Sequence, residues 1–284
     1  MMHTLTQYCL LFCLLIANQC LANDVQVSKQ RIIALSPHSV ELLFAIGAGD
    51  RIVGALEYSD YPKAALDIPR LGNFNGIQIE KVVELQPDLI IAWKTGNKNS
   101  DLEKLQSLGF NIFYSHPQNI SEISSELIKL GELTSLEENA KIAAKMVADK
   151  YQIIKAKYHN TSRIKTFYQL WHDPLRTIGA NNWTDSLIRD CNGSNIFNDA
   201  SSDYPVVSIE SVLQKDPQVI IIPHHSGSKT DKSSIWDKWY QLSAVKNQHV
   251  TVIDGDLLHR FSPRALKGLE ILCKTIDDAR NTIK

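Results

Sequence analysis

Five histidines follow short apolar runs that predict β-strands, at positions where parallel sheets bind ligands. They are His38, His172, His224, His225 and His259. Imidazole nitrogens are common ligands of divalent transition metals, so a shared metal site is one hypothesis for this pattern. The sequence has no acidic, histidine-rich loop beside them. Taken singly, each histidine is better explained as a pocket or surface residue.

Aromatic side chains crowd the ends of the same predicted strands. Tyr58 follows the run "RIVGAL", Trp93 ends "DLIIAW", and Trp171 ends "RIKTFYQLW". One aromatic residue at such a place usually packs into the core, because its ring buries a large apolar area. Several at one face of a sheet favour a large, flat and partly apolar ligand.

Several function classes are excluded or left without support. No G-x-S-x-G elbow, Walker loop or H-E-x-x-H motif occurs. The serines of "YSDYP" and "ASSDYP" are typical of turns, and nothing in the sequence places a base beside them. We therefore predict that the protein is not an enzyme. The formal net charge of −1 and the lack of a Lys/Arg cluster argue against nucleic-acid binding.

One pattern occurs twice, as "IEKVVELQPDLIIAW" (79–93) and "IESVLQKDPQVIIIP" (209–223). Each copy predicts a helix that begins Ile-Glu, a Pro that ends it, and a buried strand. Glu80 and Glu210 lie in the first helical turn, where the helix dipole favours a carboxylate by roughly 0.3–1 kcal/mol. They could be helix-stabilising residues copied by duplication, or a symmetric pair that docks on a two-fold partner. The pattern leaves both interpretations open.

Strand and helix patterns alternate with short links on both sides of one long helical segment. The alternation covers residues 31–116 and resumes at 163, which predicts two parallel sheets with covering helices. Residues 135–158 read as one helix that opens with a capping box, Ser135 and Glu138. The predicted fold is α/β, with two Rossmann-like lobes of mostly parallel sheet joined by one long helix. The predicted bounds are 23–134, 135–160 and 161–284.

Residues 1–22 read as a secretory signal peptide. The apolar run "CLLFCLLIA" is too short to span a membrane and precedes small residues at a cleavage site after Ala22. Export would leave two cysteines, Cys191 and Cys273, in an oxidising compartment. They form either a disulfide or two buried free thiols.

The motifs together resemble a known family. "RIIALSPHSVELLFAIGAGDRIVG", "YSDYP", "IEKVVELQPDLIIAW", "CNGSNIF", "VVSIESVL" and "LLHRFSPR" are similar to segments of the periplasmic cobalamin-binding proteins of vitamin B12 ABC importers. The similarity spans roughly residues 30–278. It implies the class III periplasmic binding fold, in which a long helix joins two lobes that close only slightly on a ligand.

The resemblance also implies roles for particular residues. Cobalamin would lie between the lobes as the transported ligand, with no further cofactor. The implied ligand contacts are Tyr58, Phe74, Trp93, His172, Trp183, Tyr204, Asp256, Leu257, Leu258, His259 and Arg260. Glu80 and Glu210 would bind arginines of a dimeric inner-membrane permease, and Cys191 would pair with Cys273. A free protein of this kind is expected to be a periplasmic monomer.

The sequence departs from the family pattern in the predicted cleft. Phe74 and Tyr204 stand where the family has tryptophan, and "LWHDPLRTIG" brings in Trp171, His172 and Arg176. Smaller rings are still compatible with a flat macrocycle. The departures keep two alternatives open, a haem or siderophore carrier and a His-coordinated zinc or manganese carrier.

Overall fold

The computed structural model describes residues 29–224 and 235–282. The predicted signal peptide, its cleavage site and His225 lie outside the described residues. The strands are β1 (Ile32–Ala34), β2 (Ile52–Ala55), β3 (Gly72–Asn73), β4 (Gly76–Ile77), β5 (Leu89–Trp93), β6 (Ile112–Ser115), β7 (Ile164–Tyr168), β8 (Trp171–His172), β9 (Leu175–Arg176), β10 (Gly193–Asn195), β11 (Val219–His224) and β12 (Val250–Asp254). The helices are α1 (Pro37–Ala45), α2 (Ile79–Leu85), α3 (Asn99–Ser107), α4 (Ile120–Thr134), α5 (Glu137–Tyr158), α6 (Trp183–Asp190), α7 (Ile209–Lys215), α8 (Ser243–Lys246), α9 (Gly255–His259) and α10 (Ala265–Thr282).

Two four-stranded sheets have the same topology. The N-terminal sheet has the order β2-β1-β5-β6 and the C-terminal sheet the order β10-β7-β11-β12, with parallel pairing throughout. In both, the chain continues on the opposite side of the first strand after the second, which opens a crevice at the carboxyl ends. The predicted α/β class with two parallel-sheet lobes is confirmed.

Alternating side chains divide each sheet between two cores. Ile32 and Ala34 of β1 join the largest buried cluster, which also holds residues of β7, β11, α5 and α10. The neighbouring Ile33 and Leu35 join a second cluster confined to the N-terminal sheet and its helices. This is the two-residue period of a strand with both faces covered. Because the largest core runs through both lobes, the sheets are packed within one compact unit, residues 31–284.

The repeated sequence unit folds alike in both lobes. Gln86 and Asp216 end their helices in the left-handed conformation, at φ of 46° and 44°, immediately before a proline. The next residue then pairs with the start of the central strand: Asp88 Oδ2 accepts from Arg31 N at 2.7 Å, and Gln218 Oε1 accepts from Lys165 N at 2.9 Å. Each unit therefore fixes where its own helix ends and where its neighbouring strand begins.

The connection between the lobes differs in one respect from the prediction. Helix α5 begins at Glu137 and ends at Tyr158, close to the predicted 135–158, but Ser135 does not cap it. Ser135 has φ of 55° and ends the preceding helix α4, so the predicted capping box is wrong. A serine followed three residues later by glutamate cannot by itself reveal that another helix has just ended. The lobe and linker bounds remain a prediction.

A disulfide stabilises the C-terminal half. Cys191 at the end of α6 and Cys273 in α10 form a disulfide with 4.6 Å between their Cα atoms. The two cysteines are 82 residues apart in the sequence. A disulfide that closes so long a loop removes many conformations from the unfolded chain. Among the described helices, none is long and apolar enough to cross a membrane.

A buried polar chain lies at the carboxyl edge of the N-terminal sheet. His38 Nε2 lies 2.9 Å from Ser115 Oγ, and burial lowers the pKa of His38 to about 3. Burial raises the pKa of Glu126 from 4.5 to about 7, although hydrogen bonds from Ser115 and from the His116 backbone oppose that rise. The Oε1 atom of Glu126 is buried without a hydrogen-bond partner among the described residues. At neutral pH, the chain therefore holds a neutral histidine and a half-protonated acid.

The two groups affect stability in opposite directions. The folded state keeps a proton on Glu126 that the unfolded chain releases, so this group lowers the free energy of unfolding as pH rises from 4.5 to 7. His38 lowers the free energy of unfolding as pH falls through 6.5, because only the unfolded chain takes up the proton there.

We predict that Glu126→Gln becomes more stable relative to the parent as pH rises from 5 to 8, by roughly 3 kcal/mol at most. Urea unfolding at several pH values measures the difference. Glu132→Gln is the control, since Glu132 lies on the same helix with a half-exposed side chain paired to Lys129. A stability difference between Glu126→Gln and the parent that does not change with pH would contradict the prediction.

Candidate functional site

A cleft of about 340 Å³ lies at the carboxyl ends of the strands and takes residues from both lobes. Trp93, the last residue of β5, is its contribution from the N-terminal sheet. The C-terminal half contributes Leu170, Trp183, Thr184, Tyr204, His259 and Phe261. This is the crevice where a doubly wound sheet is expected to bind its ligand.

Phe261 joins the aromatic walls of the cleft. Its ring lies 5.6 Å from Trp93 and 4.7 Å from Trp183, both at steep angles. Edge-on contacts at these distances are favourable for aromatic rings and restrict their rotation. The Trp183 Nε1 donates to the Leu258 carbonyl at 2.7 Å, which fixes that ring further. The cleft therefore has preformed aromatic walls.

His38 supports the wall from the N-terminal side. It follows β1, and its ring lies 5.4 Å from Trp93 and 5.0 Å from Phe261. Since burial lowers its pKa to about 3, the imidazole is neutral and packs as an aromatic ring. Its hydrogen bond to Ser115 uses Nε2. His38 is thus a support for Trp93 rather than a metal ligand.

Polar groups line one side of the cleft. His259 Nε2 lies 2.7 Å from the Tyr168 hydroxyl, whose pKa burial raises well above 10.0. Thr184 lies beside Trp183 at the start of α6. Burial also raises the pKa of Tyr204, and the nearby Asp203 carboxylate adds to that rise. Both tyrosines are therefore neutral hydrogen-bonding groups at physiological pH.

The segment after α9 carries ion pairs between the lobes. The Arg260 guanidinium pairs with Asp256 at 3.1 Å, with Asp60 at 2.7 Å and with Glu41 at 3.0 Å. Arg264 also pairs with Glu41, at 3.0 Å, and lies over the Tyr61 ring at 4.1 Å. Glu41 lies on α1 and Asp60 in the "YSDYP" loop, so these pairs connect the N-terminal half to the C-terminal one.

The structure brings together part of the predicted ligand set. Trp93, Trp183, Tyr204 and His259 line the cleft. Tyr58 and Phe74 project from loops of the N-terminal lobe with 66% and 63% of their surface exposed, so a ligand could cover both. His172 lies in the β8–β9 hairpin beside Trp171, and its Nδ1 is buried without a described partner.

Of the segment from Asp256 to Arg260, the His259 side chain lines the cleft. Leu257 and Leu258 are 7% and 0% exposed, so their side chains pack in the interior and do not line the cleft. The Arg260 side chain is only 8% exposed, and its guanidinium pairs with three carboxylates. The likeness of this segment to a ligand-binding loop did not indicate which side chains face inward.

Three cleft residues, Leu170, Thr184 and Phe261, were not predicted from the sequence, and neither was the buried Glu41. Phe261 lies inside the quoted motif "LLHRFSPR", two residues after His259, so a strand-end aromatic was visible there. Glu41 interrupts the apolar run of α1, and a glutamate in such a run is rarely buried without a partner. Leu170 gave no signal beyond its position in a strand-like run.

The two repeated acids lie on the surface at matching places. Glu80 and Glu210 are exposed in the first turns of α2 and α7. Hydrogen bonds from its own backbone N–H and from Ser208 lower the pKa of Glu210, so this carboxylate is ionised. Phe74 and Tyr204 stand six residues before each acid, and both rings are more than half exposed. Each lobe thus presents one acid and one ring in the same order.

Metal ligation receives no support from the described part of the chain. No cluster of three or more His, Cys, Asp or Glu side chains in residues 29–224 and 235–282 could hold a metal ion. Four of the five strand-end histidines, His38, His172, His224 and His259, lie within these ranges.

Comparisons with known proteins agree with this architecture. A vitamin B12-binding protein of Vibrio vulnificus is 36% identical over 246 residues, which cover 86% of this chain and 89% of the relative. One from Vibrio cholerae is 39% identical over 245 residues, covering 86% and 88%. The crystal structure of the Vibrio cholerae periplasmic vitamin B12-binding protein BtuF superimposes with a TM-score of 0.81 at 38% identity, covering 88% of this chain and 97% of that one.

A more distant structure shares the fold alone. The periplasmic haem-binding protein BhuT is 18% identical with a TM-score of 0.79, covering 88% of this chain and 98% of that one. The family model described as periplasmic binding protein matches residues 32–257. These comparisons confirm the predicted resemblance and the prediction of a binding protein rather than an enzyme. With the family model covering most of its length, the chain belongs to the periplasmic binding protein family.

Proposed function

We propose that this protein binds cobalamin in the cleft between its lobes and delivers it to an ABC importer of the inner membrane. The observation that carries the proposal is the aromatic cleft, with Trp93 on one side and Trp183, Tyr204 and Phe261 on the other. The relatives named as vitamin B12-binding proteins support the choice of ligand. The protein acts in the periplasm, where export through residues 1–22 would place it.

The chemistry of the cleft fits a corrinoid. A corrin is a broad macrocycle with apolar faces and a rim of amide side chains. Trp93 and Tyr204 offer ring surfaces to the faces, while Thr184 and His259 offer hydrogen-bonding groups to the rim. A cleft that is mostly apolar with a few placed polar groups is typical of a specific ligand site.

Exposed rings in and around the cleft extend the proposed contact surface. Tyr58, Phe74 and Tyr204 are more than half exposed, and a ligand larger than the cleft would cover them. Full burial of one such side chain contributes roughly 1.5–3 kcal/mol. We assign the same ligand role to His172, Trp183 and the segment from Asp256 to Arg260. In that segment, Asp256 and His259 supply side chains, whereas Leu257 and Leu258 have only backbone groups to offer.

We predict that the protein binds cyanocobalamin with a Kd in the micromolar range or below and that Trp93→Ala weakens binding by roughly tenfold or more. Tyr204→Ala acts in the same direction, because both changes remove ring surface from the cleft. Absorbance and tryptophan fluorescence titrations measure the affinities, with haemin and zinc tested in parallel.

Tyr240→Ala is the matched control for these cleft variants. Tyr240 is 78% exposed and does not belong to the residues that line the cleft. Its loss should leave the affinity for cyanocobalamin unchanged. Tight binding of zinc or haemin without binding of cyanocobalamin would overturn the proposal.

We further propose that Glu80 and Glu210 dock the protein on a two-fold symmetric permease. Both acids are exposed at equivalent points of the two lobes, each in the first turn of a seven-residue helix that ends in a left-handed residue. A two-fold partner with basic residues could then bind both acids of one protein molecule. One copy suffices for this geometry, so we propose that the free protein is a monomer.

The paired variant Glu80→Lys with Glu210→Lys should abolish stimulation of ATP hydrolysis by the cognate transporter, because like charges would then face each other. Its affinity for cyanocobalamin should equal that of the parent. The control carries Glu103→Lys with Glu138→Lys, two exposed acids on α3 and α5. If the Glu80/Glu210 variant still stimulates ATP hydrolysis normally, the two acids only stabilise their helices and do not dock the protein.

A further inference from the structure

The buried side chain of Glu41 receives three hydrogen bonds from one short segment of the other lobe. The Arg260 Nη1 and Arg264 Nη1 each donate to Oε1 at 3.0 Å, and the Ser262 hydroxyl donates to Oε2 at 2.5 Å. The Glu41 side chain is 2% exposed. We call this set of contacts, between Glu41 and residues 260–264, the lobe latch.

The lobe latch is built for an ionised carboxylate. Burial raises the pKa of Glu41, while the Ser262, Arg264 and Arg260 donors oppose the rise. A guanidinium has no acceptor, so a proton on Glu41 Oε1 would remove a bond to Arg260 or Arg264 without replacing it. An isolated buried carboxylate costs several kcal/mol, which means that Glu41 is stable only while the donors remain in place.

The latch is coupled to the cleft through Phe261. This residue stands between two of the donors, Arg260 and Ser262, and its ring contacts Trp93 and Trp183. His259, another cleft residue, precedes Arg260 directly. A displacement of residues 260–264 from Glu41 would therefore move the aromatic wall as well.

The other end of the segment is held independently. Gly268 of α10 lies against α9 so closely that a Cβ atom there would be 2.2 Å from the Leu257 carbonyl. Helix α9 thus moves with the C-terminal half, while Glu41 belongs to α1 beside the N-terminal sheet. The latch is where these two bodies are joined at the cleft.

We propose that Glu41 is a positioning residue for ligand binding, which holds residues 260–264 across the lobe boundary and thereby sets the spacing of the cleft walls. The inference rests on the proposed ligand site, because it concerns the same cleft. Glu41 itself has no contact with the cleft cavity. Its effect on the ligand would pass through Phe261 and His259.

The first test measures the lobe spacing without ligand. Nitroxide labels attached through p-acetylphenylalanine at positions 104 and 214, both exposed, report one distance across the lobes and leave every cysteine untouched. Glu41→Gln keeps the side-chain shape but removes the charge. We expect it to broaden the distance distribution about twofold, as a loosened hinge does.

The second test measures ligand release. Stopped-flow dissociation of cyanocobalamin should be about tenfold faster from Glu41→Gln than from the parent, because a less firmly held Phe261 and His259 wall would release the ligand more readily. Arg264→Gln and Ser262→Ala should act in the same direction. The double variant Glu41→Gln with Arg264→Gln should be less impaired than the sum of the two single changes.

Controls separate positioning from a loss of stability. Glu138→Gln, at an exposed acid paired only with Lys141, should change neither distance nor dissociation. A lower melting temperature for Glu41→Gln, with unchanged distance distribution and unchanged dissociation, would overturn the proposal. If Glu41→Gln does not fold, Ser262→Ala and Arg264→Gln decide by the same criteria.

The design also separates this inference from the proposed function. If the parent protein does not bind cyanocobalamin, the proposed ligand is wrong, yet the distance measurement still tests the latch. If the parent binds cyanocobalamin and all latch variants keep the parental distance and dissociation rate, only the positioning role is lost.

Discussion

The carboxylate of Glu41 imposes the strictest constraint on how the two halves of the chain meet. Its burial would cost several kcal/mol if it stood alone, so Arg260, Ser262 and Arg264 must reach it at the same time. Those donors lie more than 200 residues from Glu41 in the sequence, and the nearest of them, Arg260, is 219 residues away. The arrangement of the lobes that satisfies all three contacts also places the Phe261 ring against Trp93 and Trp183.

The remaining architecture fits this constraint. The largest buried cluster runs through both sheets and helix α5, so the lobes share apolar packing as well as ion pairs. Large relative movements would expose that core, which agrees with a cleft whose walls are preformed. The repeated helix–strand unit meanwhile places Glu80 and Glu210 at equivalent surface points, away from the shared core. The proposed ligand cleft and the proposed docking acids are thus built on one framework.

Local patterns predicted the fold well. The repeat and the apolar runs correspond to elements that form as expected, because each depends on neighbours within a few residues. Pairings between distant residues could not be read in the same way. Nothing near Glu41 indicates its arginines, and the inward packing of Leu258 depends on how α9 meets α10. Strand-end positions did locate Trp93 and His259 in the cleft, since parallel strands end at one edge.

A crystal structure of the protein with cyanocobalamin tests the central claim most directly, because it shows both the ligand and the lobe junction. Our account predicts the corrin in the cleft between Trp93 and Tyr204, with Glu41 still hydrogen-bonded to Arg260, Ser262 and Arg264. A corrin bound elsewhere on the surface would contradict the proposed site. A corrin in the cleft with Glu41 separated from all three donors would contradict the role assigned to the lobe junction.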